Sequence, residues 1–337
     1  MMASHSHSTL AYSPFEQPKE YTLSNMAPTI LIVGATGNTG RSVTKTLPQL
    51  LKSSNALSDH RVIALTRSLN GAVALQLAKI PGVEMIEKDW VEITADWLRD
   101  HEVVRAFIAS HNEPSQFAEE SGFHVAALKA GVQYVVRIST TAANVHPISD
   151  VYYPRTHWAV VALLSTPEFS GMQWTSLQPN IFSQFYLATA VDFVKQYRNT
   201  GNQGTLKLMA SEDAPVGIID PDDVGVFAAH LLSLDDPAVH NKAKYVLNGP
   251  ADITGAQVVS MVERCIGTKV HDVRYKDMSF VDSLMHLGHP AVMGTVRLAP
   301  VTSWEGKASV ATTSKEVLEI APPKRTPADV FKALLEE

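Results

Sequence analysis

The chain has little of what would tie it to several broad classes of protein. A single cysteine, Cys265, occurs in 337 residues, so no internal disulfide can form and a reducing compartment, the cytoplasm, is expected. It falls in the helical pattern 257–266, where a thiol acts as a small buried apolar group. Basic residues form no dense run, and Lys+Arg 28 against Asp+Glu 34 leaves a formal net charge of −6. The electrostatic footprint of nucleic-acid binding is missing, so no direct nucleic-acid partner is expected. No apolar stretch approaches the length of a membrane span. His5 and His7 stand two apart without further ligands nearby, and no metal is expected. The pattern G-x-x-x-x-G-K-[ST] is absent, which disfavours a nucleoside-triphosphatase.

What is present centres on Thr29-Ile30-Leu31-Ile32-Val33-Gly34-Ala35-Thr36-Gly37-Asn38-Thr39-Gly40-Arg41. The first five residues read as a buried strand and the glycines as a turn into a helix running from Asn38 to about Ser54. Gly34 permits the tight turn, Gly37 lets a pyrophosphate lie against main chain, and Gly40 lets the helix pack close to the strand. The N–H groups and positive dipole end of the helix make an anion seat from Gly34, Thr36, Gly37, Asn38, Thr39 and Gly40. The spacing is G-x-x-G-x-x-G rather than the commoner G-x-G-x-x-G, so its position between strand and helix carries the signal.

Residues 1–26 are rich in Ser, His and Pro without apolar periodicity and are expected to be a disordered leader. Beyond them, 45% hydrophobic content supports a nucleotide domain over 27–180 and, over 181–337, mainly a substrate-binding lobe with some elements returning to the first. Strands are expected at 61–67, 83–86, 103–109, 134–138 and 172–180, alternating with helices near 70–80, 92–100 and 115–130. Such alternation builds right-handed crossovers and a doubly wound parallel sheet. After 181 the pattern loosens into an aromatic-rich helix, short strands near 205–209 and 216–219, and a helix begun by Asp220-Pro221.

Ligands of such sheets sit beyond the carboxyl ends of the strands. Candidates there are Arg67 and Ser68, Asp89, Ser110, His111 and Asn112, Ser139, and the exit loop Pro179-Asn180. The second strand ends in Arg67 where a carboxylate would favour NAD; a guanidinium instead grips a 2′-phosphate, so NADP(H) is preferred over NAD(H). Asp89 either accepts from an adenine amine or caps the next helix. His111 and Asn112 either border the nicotinamide or serve the loop, and His124 and His146 read as structural.

The glycine turn, Arg67, Gly131-Val132-Gln133-Tyr134-Val135-Val136-Arg137-Ile138-Ser139-Thr140, Leu177-Gln178-Pro179-Asn180, Ile219-Asp220-Pro221-Asp222-Asp223-Val224-Gly225 and Tyr245-Val246-Leu247-Asn248-Gly249-Pro250 together resemble the NmrA-like branch of the atypical short-chain dehydrogenases, from about Ile30 onward. The resemblance implies an α/β Rossmann-type fold binding NADP, a smaller C-terminal α+β lobe and a cleft between them. That branch holds quinone and isoflavone-type reductases and also nonenzymatic regulators that bind the dinucleotide as a redox signal. Many relatives carry Tyr-x-x-x-Lys as proton donor and ribose holder; here Tyr153-Pro154-Arg155-Thr156-His157 puts His157 where the lysine would be. Pro154 is expected to leave Tyr153 just before the helix and His157 in its first turn, where the dipole favours a neutral imidazole.

The leading expectation is an NADPH-dependent reductase of a carbonyl or conjugated alkene in an apolar aromatic or polyketide-like molecule, as in secondary metabolism. His157 or Tyr153 relays the proton, His157 also holding the ribose, and Phe182, Phe185 and Tyr186 wall the substrate, joined by Met285 and Met293. The alternatives are an NADP(H)-sensing regulator without turnover and a non-redox isomerase or cyclase in the same pocket. A monomer or homodimer is expected.

Overall fold

The computed structural model describes residues 27–54 and 56–336; the expected leader, with His5 and His7, lies outside them. Among the described residues nine strands occur in chain order: β1 (Thr29–Val33), β2 (Arg61–Thr66), β3 (Val83–Glu87), β4 (Val103–Ile108), β5 (Tyr134–Ile138), β6 (Gln173–Pro179), β7 (Leu206–Lys207), β8 (Ala243–Leu247) and β9 (Val273–Arg274). Seven form one parallel sheet in the order β3-β2-β1-β4-β5-β6-β8, and β7 and β9 pair separately. The chain winds outward from β1 to β3, returns to lay β4 beside β1, and then winds the other way. That reversal leaves a crevice beyond the carboxyl ends of β1 and β4.

Both faces of the sheet are covered, which explains why β1 is apolar throughout. Ile30 and Ile32 pack beneath helices α1 (Gly40–Ser53) and α7 (Pro221–Leu232), whereas Leu31 and Val33 face α3 (Ala95–Asp100), α4 (Gln116–Ala130) and α5 (Tyr152–Leu164). Further helices are the short α2 (Ala72–Leu77) and the longer α6 (Ser183–Thr200) and α8 (Gly255–Ile266). A second core gathers α6, α8 and the C-terminal helix Pro327–Glu336, and Cys265 is half-buried against it. Residues 243–247 join the main sheet beside β6, and α7 packs on α1 at a close approach: a Cβ on Gly225 would lie 2.6 Å from both Ser42 Cβ and Thr39 O.

Several expected elements are shorter. The helix placed at 92–100 is a 3-10 turn Trp90–Glu92 followed by α3, and α1 starts at Gly40 rather than Asn38. The strand expected at 216–219 is only two isolated bridges, Val216 with Ile253 and Phe182 with Ile219. Tyr153 also needs correction: it lies inside α5, whose cap is Val151. Pro154 is tolerated because the N–H it lacks is one of those left without an intrahelical partner in the first turn. The helix start is fixed further by Tyr152, whose N–H donates to Thr295 Oγ1 at 3.2 Å and whose hydroxyl donates to the Asn112 carbonyl.

Candidate functional site

The turn after β1 is shaped by three close approaches. Gly34 sits at φ +79°, where a Cβ would lie 2.9 Å from the Ala109 carbonyl at the end of β4. A Cβ on Gly40 would lie 2.1 Å from Gly34 O, whereas Gly37 is exposed and only its own turn is near. Gly37 N–H closes that turn on Gly34 O at 3.0 Å. Among the described residues the N–H groups of Asn38, Thr39 and Gly40 meet no acceptor, Thr39 does not cap its own helix, and no acid stands in the first turn. A helix start left open in this way is complementary to a phosphate.

Arg67 and Ser68 follow β2 at the surface, and Arg67 makes no ion pair among the described residues. Ser68 Oγ accepts from Asn70 N–H at 3.3 Å. Asp89 does act as a cap: its carboxylate accepts from Val91 N–H at 3.0 Å at the start of the 3-10 turn.

The other half of the crevice is closed by a buried polar cluster. Glu120 on α4 and Arg137 on β5 are both 0% exposed and meet at 2.6 Å through Nε. Arg137 Nη1 donates to Ser176 Oγ at 3.0 Å and Nη2 to His157 Nδ1 at 2.8 Å. Since a guanidinium only donates, His157 Nδ1 must accept; its Nε2–H then donates to Asn112 Oδ1 at 3.0 Å. Ser110 Oγ donates to Glu120 Oε2 at 2.8 Å, Gln116 Nε2 donates to the same oxygen at 3.1 Å, and His124 lies 3.4 Å from Oε1. Burial pushes the Glu120 carboxyl up, but Arg137 and His124 outweigh it and hold it well below the usual range. Burial and then Arg137 drive His157 down to about 3.

His157 is therefore neutral, as expected, but for another reason. It lies in the second turn of α5, not the first, is 2% exposed, and has both ring nitrogens bonded to protein. A proton relay through His157 would have to break one of these two hydrogen bonds, because Nδ1 is held by Arg137 and Nε2 by Asn112. Tyr153 keeps its proton: burial pushes the phenol up to about 12, and its hydroxyl meets the side chain of Thr140. His111 is likewise engaged, Nδ1 accepting from Glu113 N–H at 3.1 Å and Nε2 facing Glu119.

At the ends of β6 and β8 opens a cavity of about 310 Å³, lined by Thr141, Gln178, Asn180, Val246, Asn248 and Lys307 with small apolar neighbours. Asn180 does not offer its side chain to it: Nδ2 donates to Asn248 Oδ1 and Ala308 O, both at 2.8 Å, and Oδ1 accepts from Ile181 N–H. Pro179, next to it, ends β6 in register with Leu247. The residues expected to wall the substrate divide between the two cores and the surface. Phe182 packs on the sheet core, Tyr186 in the second core, and Phe185, 53% exposed, edges Phe280 at 5.2 Å. Phe185 and Tyr186, about 100° apart on the helix, have different surroundings, the first half-exposed and the second buried. Met293 is buried and Met285 packs against the second core.

Sequence reading missed Glu120, Gln116, Ser176 and the bonding role of Arg137. A signal was there: an arginine inside a strand apolar on both sides, and Glu120-x-x-x-His124 on an otherwise apolar helix, each demand buried partners.

A parallel sheet with its switch between β1 and β4, and a glycine turn opening a helix there, define a Rossmann-type α/β protein. The NmrA-like family model matches residues 26–308, and the chain belongs to that family. No curated protein sequence matches it significantly. Among solved structures it is similar to the NADPH-dependent quinone oxidoreductase QOR2 of Escherichia coli complexed with NADPH, with TM-score 0.68 and 22% identity over 90% of this chain and 99% of that one. Triphenylmethane reductase of a Citrobacter species, complexed with NADP(H), gives 0.66 and 18% over 91% and 100%. NmrA, a negative transcriptional regulator complexed with NADP, gives 0.63 and 18% over 93% and 96%. These identities establish a shared fold.

Proposed function

We propose that the chain is an NADPH-dependent reductase of a carbonyl or conjugated alkene in an apolar aromatic or polyketide-like small molecule, serving secondary metabolism. Residues 27–180 are taken as the dinucleotide domain and 181–337 mainly as the substrate lobe. The lone, half-buried Cys265 fits a reducing compartment, and we assign the protein to the cytoplasm.

The turn fits the cofactor because Gly37 is exposed without a Cβ and three neighbouring N–H groups lack acceptors. The pyrophosphate would rest on residues 36–40, and Arg67 would grip the 2′-phosphate, favouring NADP(H) over NAD(H). When bound, NADPH supplies a hydride from C4 of its nicotinamide.

The observation that carries the reading is the open cavity at the ends of β6 and β8, one residue along the β5 exit loop from the threonine that meets Tyr153. Tyr153 would donate its phenolic proton to the substrate oxygen as the C=O electron pair moves onto it, and would regain a proton from water. His157 would act as a positioning residue, holding Asn112 and the loop after β4.

A second reading, a dinucleotide-sensing regulator without turnover, is favoured by the enclosed, fully bonded His157. Loss of NADPH absorbance on adding quinones and aromatic ketones, in wild type and Tyr153→Phe, separates the two. Turnover reduced at least about 10²-fold in the variant is expected; NADPH binding without oxidation by any compound would leave the sensor.

A further inference from the structure

The cavity at the ends of β6 and β8 has almost no polar group left to offer. Asn180 and Asn248 bond each other, Asn248 Nδ2 also donates to Thr312 Oγ1 and Thr313 Oγ1 at 3.0 Å, and Lys307 Nζ pairs with Glu305 at 2.7 Å. Gln178 is different. It is 8% exposed, lines the cavity, and its carboxamide has no hydrogen-bond partner among the described residues.

Register explains its aim. Arg137 pairs with Ser176 and Ser176 with Lys244; two residues further along the same face come Ser139, Gln178 and Val246. The Arg137 to Ser176 hydrogen bond closes the lower rung, so the rung above it, holding Gln178, meets the cavity. The Gln178 amide faces the open cavity rather than being sealed from solvent, so a ligand that displaces water there must replace its hydrogen bonds or lose affinity.

The charges select the ligand further. No carboxylate lines the cavity, so a cationic ligand finds no counter-charge there, and Lys307, 61% exposed, is already shared with Glu305 at the surface. Thr141, whose hydroxyl also has no hydrogen-bond partner among the described residues, Thr312 and the small apolar side chains of Ala142, Ala143, Val246 and Ala308 make up the rest. A carboxamide can donate through Nε2–H to a carbonyl oxygen and, turned over, accept at Oε1 from a hydroxyl. It therefore satisfies one oxygen both before reduction, when it is C=O, and after hydride has reached the carbon and a proton the oxygen. An alkene offers it nothing.

We propose that Gln178 is the specificity-determining residue of this cavity and that the ligand is a neutral, largely apolar carbonyl compound whose oxygen Gln178 reads. This rests on the reductase reading for its chemistry but not for its binding test. That test titrates the full chain, without coenzyme, with 1-tetralone, the oxygen-free tetralin and the cationic dye malachite green. Wild type, Gln178→Leu and Gln178→Glu are compared, with folding checked by thermal unfolding.

Wild type should prefer tetralone over tetralin by about tenfold or more, and Gln178→Leu should lose that preference while keeping tetralin. Gln178→Glu should lose tetralone and gain the dye. Equal binding of tetralone and tetralin, no binding of either, or an undiminished preference in Gln178→Leu overturns the assignment. If the preference holds but no carbonyl compound oxidises NADPH, the role of Gln178 stands and the reductase reading falls.

Discussion

The two halves of the crevice beyond β1 and β4 are opposites. On the phosphate side, polar main chain lies open: three N–H groups lack acceptors, Gly37 is exposed, and Arg67 has no ion-pair partner among the described residues. On the other side the polar side chains of Glu120, Arg137 and His157 are enclosed and bonded to one another. Groups left open are complementary to a ligand, and groups fully bonded hold the frame that positions it. Residue type alone does not separate these roles, since an arginine stands in each half.

The largest effect should come from the closed half. Arg137→Met strips Glu120 of its main counter-charge at zero exposure and should destabilise the fold by about 3–5 kcal/mol in urea unfolding. A loss under about 1 kcal/mol would show that the cluster does not act as a buried ion pair.

Gly40→Ala tests the open half, because its Cβ would sit 2.1 Å from Gly34 O. Calorimetry with NADP+ should show affinity falling by about 100-fold, with some 1–3 kcal/mol lost in stability. Unchanged affinity would detach the turn from the nucleotide.

Arg67→Ala is the finer probe of the same half. NADPH should bind about 10- to 100-fold more weakly, matching one charge-assisted contact of about 1.5–3 kcal/mol, while NADH changes little. Equal losses would remove Arg67 from the 2′-phosphate.

Acid sharpens the comparison further. His157 is depressed to about 3, so between pH 6.5 and 3 the unfolded chain binds a proton that the folded chain refuses. Its contribution is intact above pH 6.5 and falls by about 1.4 kcal/mol per pH unit below it. Glu120, also depressed, adds loss in the same direction only below its ordinary value of 4.5. His157→Gln should reduce the slope of stability between pH 6.5 and 4.5, with His124, also lowered by burial, keeping part of it; an unchanged slope there would place the acid-sensitive group elsewhere. Smallest of all, Asp89→Ala should cost about 1 kcal/mol with NADPH affinity intact if capping is its whole role.

Much of this was legible beforehand. The glycine turn, the strand-helix alternation as far as β6 and the residues after each strand follow from period and local stereochemistry, which act within a few neighbours. Tyr153 was misplaced because the proline rule is local, while contacts to Thr295 and Asn112 fix the helix start. Where Phe182, Phe185 and Tyr186 pack was not legible, because helical periodicity says which residues share a face but not what that face meets.

The sequence by itself determined a doubly wound sheet with a glycine turn opening a helix after β1, because burial on both faces and three glycines at fixed spacing admit few other arrangements. Only the tertiary structure decided that His157 is locked between Arg137 and Asn112, and that Gln178 rather than the aromatic residues faces the cavity. Those outcomes depend on which polar groups find partners across 20 to 45 residues of chain, and hydrogen bonding over such separations is fixed by packing, not by spacing.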